Sequence, residues 1–232
     1  MIKHAEVVSD EHIASTVFDI FDSMNKTLAN IHNVDWRALG LSEFGKAGNY
    51  MARQVNRWTR QYETSMTDQI ETMDNLIKWL TENIPDDNDT TIVHGDYRLD
   101  NIIIHPTGPR VIAVLDWELS TLGHPLADLA YSCMKYYFSS SGDRQGYKNF
   151  NIKALGIPTE KEFIEAYCRR TGRDRIKDWE FFVAFGMFRL AAICQGVYKR
   201  GLMGNASSET AKTLGKQVQS LSEIACNVIS NT

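Results

Sequence analysis

Two short apolar runs joined by a polar turn stand in the middle of the chain and constrain its fold more than any other feature. The first run covers residues 101–105, the turn 106–109 and the second run 110–115. Apolar runs of this length around a turn that contains proline and glycine predict a β-hairpin. Because a hairpin brings its two ends together, a residue that follows the second run should lie beside residues that precede the first.

Polar side chains stand at both ends of the predicted hairpin. Asp96 and Asn101 precede it, with four residues between them, and Asp116 follows it directly. Their carboxylate and amide oxygens suit Mg²⁺, which shares its coordination with water and substrate phosphates. The segment therefore predicts a phosphoryl-transfer site, with Asp96 as the catalytic base and Asn101 and Asp116 as metal ligands. The structural alternative is that Asp96 caps a turn and Asn101 begins a strand.

This segment resembles the aminoglycoside phosphotransferase superfamily of small-molecule kinases. Three elements in order carry the resemblance: residues 94–96 (HGD) with Asn101, then residues 115–118 (LDWE), then residues 123–130 (GHPLADLA). The strong match covers residues 91–131, and a looser likeness runs over most of the chain. Within the superfamily, the nearest likeness is to the kinase-like domains fused to some acyl-CoA dehydrogenases.

The resemblance implies a fold and a reaction. The fold is a protein-kinase-like C-terminal lobe, and the reaction moves the γ-phosphoryl group of ATP, with Mg²⁺, to a hydroxyl group. The acceptor stays open among aminoglycosides, choline, homoserine and other hydroxyl compounds. The nearest likeness suggests a hydroxyacyl substrate, including its CoA thioester. A dedicated aminoglycoside pocket would gather acidic residues near the C-terminus, whereas residues 207–232 hold only Glu209 and Glu223.

Other residues near the loop are expected to support it. Asp128 resembles an acid that braces the catalytic loop in the family without taking part in the chemistry. His94 is expected to be structural, because a base is already supplied, with its ring hydrogen-bonded to backbone or to Asp116. For Arg98, a contact with substrate phosphate and a salt bridge to Asp128 or Asp100 are equally open.

The residues before the motif lack the other half of a kinase. A complete kinase of this kind needs a β-rich N-terminal lobe, with a glycine-rich loop over the phosphates and a strand lysine paired to a helix glutamate. Gly40, Gly45 and Gly48 are instead scattered through what reads as helical sequence, and no such strand occurs before residue 88. We therefore expect a C-terminal lobe without its N-terminal lobe, weakly active or inactive alone.

Amphipathic patterns predict helices on both sides of the hairpin. Apolar residues recur at three- and four-residue spacing over 10–32, 47–63, 68–84, 125–138, 159–171, 178–201 and 207–229. Ser9 or Asp10 is the expected cap of the first helix, while Pro158 suits a first turn and Gly172 a helix end. The prediction is one α+β domain over residues 1–232, with helices in 10–84, a catalytic hairpin segment in 91–123 and helices in 125–229.

Composition excludes several classes of protein. The chain has 232 residues, of which 43% are hydrophobic, and 25 basic and 29 acidic residues give a net charge of −4. Such a balance argues against nucleic-acid binding and against a membrane surface. No run of about 20 apolar residues and no signal pattern is found. Four scattered cysteines on helical patterns predict buried free thiols and a cytoplasmic location.

Partners and rival functions follow from the expected absence of an N-terminal lobe. Because uncovered apolar surface tends to recruit partners, we expect a homo-oligomer or a partner chain that supplies the lobe, with helix 10–32 as a candidate contact. One rival is a non-catalytic nucleotide- or metabolite-binding or regulatory remnant of such a kinase. The other is a metal-dependent hydrolase that uses the same ligands on water.

Overall fold

Seven helices enclose two small pairs of antiparallel strands in the part of the chain that the structure describes. The structure is a computed structural model, and it describes residues 10–86, 89–141, 144–205 and 209–230. The helices are α1 (Asp10–His32), α2 (Tyr50–Ser65), α3 (Glu71–Glu82), α4 (Pro125–Cys133), α5 (Glu160–Thr171), α6 (Trp179–Leu202) and α7 (Gly215–Ser230). The strands are β1 (Thr91–Val93), β2 (Ile102–Ile104), β3 (Val111–Val114) and β4 (Thr121–Gly123).

The predicted helices form, and three of them are shorter than predicted. α3 covers Glu71–Glu82 rather than residues 68–84. α4 ends at Cys133 and continues only as a 3₁₀ turn over Met134–Tyr136. α7 begins at Gly215, after a 3₁₀ turn over Glu209–Thr213, rather than at residue 207. Residues 207 and 208 lie outside the described residues, and so does Ser9, one of the two predicted caps of α1.

The segment between α1 and α2 is not helical, which corrects the sequence interpretation around its glycines. Residues 33–49 form a succession of turns. Gly40 and Gly48 have φ angles of +69° and +71°, in the left-handed region that ends a right-handed helix. The chain uses this segment to reverse direction, so that α2 can pack beside the centre of the domain.

Pro158 lies outside α5 instead of in its first turn, because Thr159 caps the helix. The Thr159 hydroxyl accepts a hydrogen bond from the backbone N–H of Glu162 at 3.2 Å. In return, the Glu162 carboxylate accepts from the backbone N–H of Thr159 at 2.8 Å. This reciprocal pair is a capping box, and it leaves Pro158 one position before the cap. Gly172 ends the helix in the left-handed conformation, as predicted.

α6 is the central helix of the core. Fifteen of its residues are buried, and it packs against α2, α4 and α7. By length and composition alone, α6 could cross a membrane. The sequence did not indicate this, because it contains no run of about 20 apolar residues. However, 78% of its most apolar window is buried inside the domain, and the core helix of a soluble protein passes the same test. Its apolar character is explained by neighbours on nearly every side.

The two strand pairs are nested. β2 pairs with β3 in antiparallel register, with Ile102 opposite Val114, which confirms the predicted hairpin. β1 pairs with β4, with Thr91 opposite Gly123. The loop after β1, the start of β2, the end of β3 and the start of α4 are thereby brought to one place.

The four cysteines are free thiols, as the sequence predicts. Cys133, Cys168 and Cys194 are buried, and Cys226 is half-buried. Complete burial raises the pKa of the Cys133 thiol well above its ordinary value. Such thiols act as small apolar side chains in the core.

Replacing Thr159 by alanine should remove the cap of α5. We expect Thr159→Ala to lower the free energy of unfolding by about 1 kcal/mol, because the N–H of Glu162 loses its partner. Urea denaturation followed by circular dichroism measures the change. Thr81→Ala is the control, since Thr81 is exposed and its hydroxyl only back-bonds to Ile77 within α3. Equal losses in both variants would contradict the capping role.

Candidate active site

The loop between β1 and β2 is closed by the side chain of Asn101. Its amide nitrogen donates to the Asp96 backbone carbonyl at 2.9 Å and to the Asp96 carboxylate at 2.8 Å. Asn101 ends a short 3₁₀ turn, and only 8% of its surface is exposed. Both polar ends of the loop therefore face each other, and the Asn101 amide oxygen is the atom that could bind a cation.

His94 connects this loop to the end of β3. Its Nδ1 accepts from the backbone N–H of Asp96 at 3.1 Å. Nε2 therefore carries the ring proton, and it donates to the backbone carbonyl of Leu115 at 2.8 Å. The sequence left backbone and Asp116 open as hydrogen-bond partners of the His94 ring. In the structure, both partners are backbone groups. With both ring nitrogens engaged in holding backbone, the arrangement gives His94 a structural task.

Asp116 leaves β3 directly beside the loop. The preceding residue, Leu115, donates its N–H to the Asn101 carbonyl at 2.8 Å. Asp116 itself is exposed, and it has the left-handed angles φ 65° and ψ 52°. A non-glycine residue in that region is uncommon and often functional. The backbone thus places Asp116 next to Asn101, where its carboxylate faces solvent.

The donor set fits Mg²⁺ bound to phosphates rather than a metal held by protein alone. Among the described residues, no group of three or more His, Cys, Asp or Glu side chains could hold a metal ion. Asn101 and Asp116 offer one amide and one carboxylate. Mg²⁺ commonly takes one or two carboxylates and completes its octahedron with water and phosphate oxygens.

The Asp128 side chain attaches the loop to α4. Its Oδ2 accepts from the backbone N–H of His94 at 2.5 Å, and its Oδ1 accepts from the N–H of Gly95 at 2.8 Å. Asp128 is 2% exposed and lies in the first turn of α4, where Pro125 occupies the start of the helix. A carboxylate with both oxygens on loop N–H groups fixes the loop against the helix.

Gly95 is required where it stands. Its φ angle is +84°, and a Cβ atom would lie 2.8 Å from the backbone oxygen of Leu119. The loop can pass this close to the segment after β3 only without a side chain. The close approach holds the loop that carries Asp96 against the segment that follows Asp116.

Arg98 takes one of the partners considered for it. Its Nε lies 3.6 Å from the Asp100 carboxylate and 3.7 Å from that of Asp96. Asp128 is instead occupied by the loop backbone, so the Arg98–Asp128 alternative is wrong. With 47% of the Arg98 side chain exposed, these pairs are weak, and Arg98 can turn toward a ligand at little cost.

Three further residues reach the site without a sequence motif of their own. Tyr131 lies near Asp96, and burial, followed by the hydrogen bond and charge of Asp96, raises the pKa of Tyr131 to about 12. His32 lies at the end of α1, with Nε2 3.5 Å from the Asp128 carboxylate. The Tyr167 hydroxyl lies 2.7 Å from Nδ1 of His32. The sequence signal that could have identified Tyr131 is its position three residues after Asp128 on a helix, since such residues lie on the same face.

A cavity of about 240 Å³ opens beside the loop. Its wall includes Tyr131 and Arg98, and its apolar part includes Phe21, Met24 and Leu190. Lys135 and Arg144 add positive charge to it. The Nε of Arg144 is buried and has no hydrogen-bond partner among the residues that the structure describes. A small molecule in this cavity would lie next to the Asp96 loop.

Fold and site together define a kinase-like domain. The match to a family model is direct: residues 5–180 match the phosphotransferase enzyme family, APH. The chain belongs to that family. The resemblance inferred from the sequence is confirmed, and so is the mostly helical, kinase-like α+β fold.

Individual relatives agree with this assignment. The mouse protein acyl-CoA dehydrogenase family member 10 is 50% identical over 207 residues, which are 89% of this chain and 19% of that protein. A crystal structure from Ralstonia eutropha, described as an aminoglycoside phosphotransferase, is 46% identical with a TM-score of 0.90. The match covers 94% of this chain and 67% of the Ralstonia chain.

A distant structure extends the fold relationship. Choline kinase from Cryptosporidium parvum has a TM-score of 0.62 at 12% identity, over 98% of this chain and 70% of that one. This likeness concerns the fold alone. The chain spans about a fifth to a quarter of the length of its curated acyl-CoA dehydrogenase relatives, from 19% to 28%.

Replacing Asp128 by asparagine should loosen the loop. An amide has one acceptor oxygen, and its NH₂ group would face a backbone N–H, so one buried donor loses its partner. We expect Asp128→Asn to lower the free energy of unfolding by about 1–3 kcal/mol, measured by urea denaturation. Asp100→Asn, at an exposed position on the same loop, should stay within about 0.5 kcal/mol of the wild type. An unchanged Asp128→Asn variant would show that the loop does not depend on this carboxylate.

Proposed function

We propose that this domain transfers the γ-phosphoryl group of ATP to the hydroxyl group of a small molecule. The observation that carries the proposal is the closed loop of Asp96, whose neighbours Arg98 and Tyr131 line a cavity, with Asp116 leaving the neighbouring strand. Asp96 would orient the acceptor hydroxyl and accept its proton late in the transfer. Most of the rate would come from positioning and from neutralisation of charge on the phosphates.

Asn101 and Asp116 would hold Mg²⁺. Bound there, the ion supplies charge neutralisation on the phosphate oxygens. The chain's own contribution is to fix the two ligands: Asn101 through its bonds to Asp96, and Asp116 through the Leu115–Asn101 backbone bond. Asp128 would fix the position of Asp96, because it accepts hydrogen bonds from the backbone N–H groups of His94 and Gly95 in the same loop.

The acceptor we propose carries negative charge and an apolar body. Lys135 and Arg144 line the cavity beside Asp96, and Asp100 is its one lining carboxylate among the described residues. A polycationic aminoglycoside would be repelled there, whereas an anionic group would be attracted. Hydroxyacyl compounds, including their CoA thioesters, fit this description, and several relatives are named acyl-CoA dehydrogenases.

The free thiols suit a cytoplasmic location.

We propose that residues 1–232 alone turn over slowly. No glycine-rich loop precedes the catalytic loop in the sequence, and residues 10–86 of the structure contain helices and turns rather than a strand with a lysine. Those groups align the nucleotide and compensate charge, each on the order of a hundredfold to a thousandfold in rate. The second candidate is a non-catalytic nucleotide- or metabolite-binding remnant, which would bind a ligand at the same loop without transferring a phosphoryl group.

Turnover assays separate the two candidates. The chain would be tested with Mg²⁺-ATP and hydroxyacyl-CoAs, amino alcohols or aminoglycosides, alone and with an added N-terminal lobe from a relative. We expect phosphorylated product with the anionic acceptors, mainly when the lobe is supplied, and loss of at least about a hundredfold in Asp96→Asn and Asp116→Asn.

Asp68→Asn provides the control for that assay, because Asp68 is exposed in the segment between α2 and α3, away from the catalytic loop and the cavity. It should retain activity within a few-fold. Nucleotide binding without product in every combination would favour the non-catalytic remnant, and product that survives Asp96→Asn would refute the assignment of the base.

An exposed apolar surface favours a covering partner. Ile103, Ile112, Leu115, Trp117 and Leu119 of the strand segment are each more than 40% exposed. Grouped apolar residues of this kind mark interaction surfaces. We propose that a second copy or a lobe on another polypeptide covers them. α1 is the other candidate contact, with Ile13 and Phe18 exposed.

Sedimentation velocity tests this association. We expect a concentration-dependent oligomer at micromolar concentration, which the double variant Ile103→Thr and Ile112→Thr weakens at least about tenfold. Leu39→Thr removes an equally exposed apolar side chain from the segment before α2, and it should leave the oligomer intact. A monomeric wild-type chain would contradict self-association, and mixing with an N-terminal lobe would then test the other partner.

A further inference from the structure

We propose that Tyr167 is a positioning residue for the catalytic loop: its hydroxyl fixes the His32 ring in the tautomer that donates to Asp128. The inference rests on the proposed function of the loop that Asp128 holds. It extends the site by one helix, because Tyr167 belongs to α5, which contributes no residue to the cavity or the metal ligands.

The contacts form a continuous buried chain. The Tyr167 hydroxyl lies 2.7 Å from Nδ1 of His32, and Nε2 of His32 lies 3.5 Å from Oδ2 of Asp128. Tyr167 is fully buried, and His32 and Asp128 are 5% and 2% exposed. Water has little access to any of these groups, so their hydrogen bonds must be satisfied within the protein.

The chemistry of the groups sets the direction of each bond. A carboxylate only accepts, so a hydrogen bond between His32 and Asp128 forms only in the tautomer whose proton is on the nitrogen that faces Asp128. In the neutral ring the other nitrogen, Nδ1, is then an acceptor, and Tyr167 is its donor. Burial, the largest cause, raises the pKa of Tyr167 far above its ordinary value, so the hydroxyl keeps the proton that it donates.

Arg173 reinforces this direction from the outer end of the chain. Its guanidinium lies close enough to the Tyr167 hydroxyl to act on it, and it is ion-paired with Asp89. A guanidinium only donates, so it favours a Tyr167 oxygen that accepts from Arg173 while its proton points to His32. Each donor in the series polarises the next.

Two structural consequences follow for the loop. Oδ2 of Asp128 already accepts from the N–H of His94 at 2.5 Å, and the Nε2 proton of His32 binds that same oxygen. If the proton moved to Nδ1, a lone pair of His32 would face the carboxylate and push it away. The tautomer that Tyr167 selects therefore keeps Asp128 in place under His94 and Gly95.

Nitrogen-15 NMR of the imidazole rings tests the proposal without any need for turnover. Long-range proton–nitrogen correlations should show His32 protonated at Nε2 and unprotonated at Nδ1 in the wild-type chain. A ring protonated at Nδ1 alone, or at both nitrogens, would overturn the proposal.

Tyr167→Phe removes only the hydroxyl and should release the ring. We expect a mixture of the two His32 tautomers and amide hydrogen exchange at Gly95 that is about fivefold to tenfold faster, as the loss of one hydrogen bond gives. Tyr62→Phe is the matched control. The Tyr62 hydroxyl is also buried but has no hydrogen-bond partner within the described part of the chain, so its removal should change neither measurement.

Kinetics complete the test where turnover is obtained. A positioning role predicts that Tyr167→Phe lowers kcat about tenfold with KM for both substrates within twofold, while Tyr62→Phe leaves both unchanged. A single Nε2–H tautomer and unchanged Gly95 exchange in Tyr167→Phe would sink the proposal, because His32 would then need no help. Failure of the proposed function would appear separately, as turnover that survives Asp96→Asn.

Discussion

The Asp128 carboxylate is the contact on which the site depends. It binds the backbone N–H groups of His94 and Gly95, and it lies at the start of α4, a helix packed against the central α6. Without an acceptor, two buried donors would be left without partners, and the loop would no longer rest on the core. The orientation of Asp96 is therefore set by a group that does not touch the reacting atoms.

Charge divides the site into two halves with different tasks. On the side of the strands, Asp96 and Asp116 present carboxylates to solvent, which suits a cation bound to phosphates. On the side of the cavity, Lys135 and Arg144 present positive charge next to apolar side chains. Under the proposed function, a cation held by these carboxylates would meet the phosphates of the donor, while the acceptor would lie on the side of the cavity.

What could be predicted from the sequence was local. The hairpin followed from two apolar runs and a turn, and the spacing of Asp96, Asn101 and Asp116 indicated one site because a hairpin has adjacent ends. His32 and Tyr167 could not be found in this way, since they lie 96 and 135 residues from their partners and meet only through helix packing. The turns around Gly40 and Gly48 were read as helix because glycine spacing alone does not reveal a positive φ.

The nesting of β2 and β3 inside β1 and β4 has a consequence for how the domain folds. The residues that surround Asp96 on the strand side come together within the stretch from Thr91 to Gly123, through pairings of short separation along the chain. Closing such short loops costs little entropy, and contacts of this kind form quickly. The loop architecture can thus be assembled early, before the distant helices α5 and α7 dock. The support from α1 and α5 depends on contacts of much longer separation, 96 residues for His32–Asp128 and 135 for His32–Tyr167, and is expected to form later.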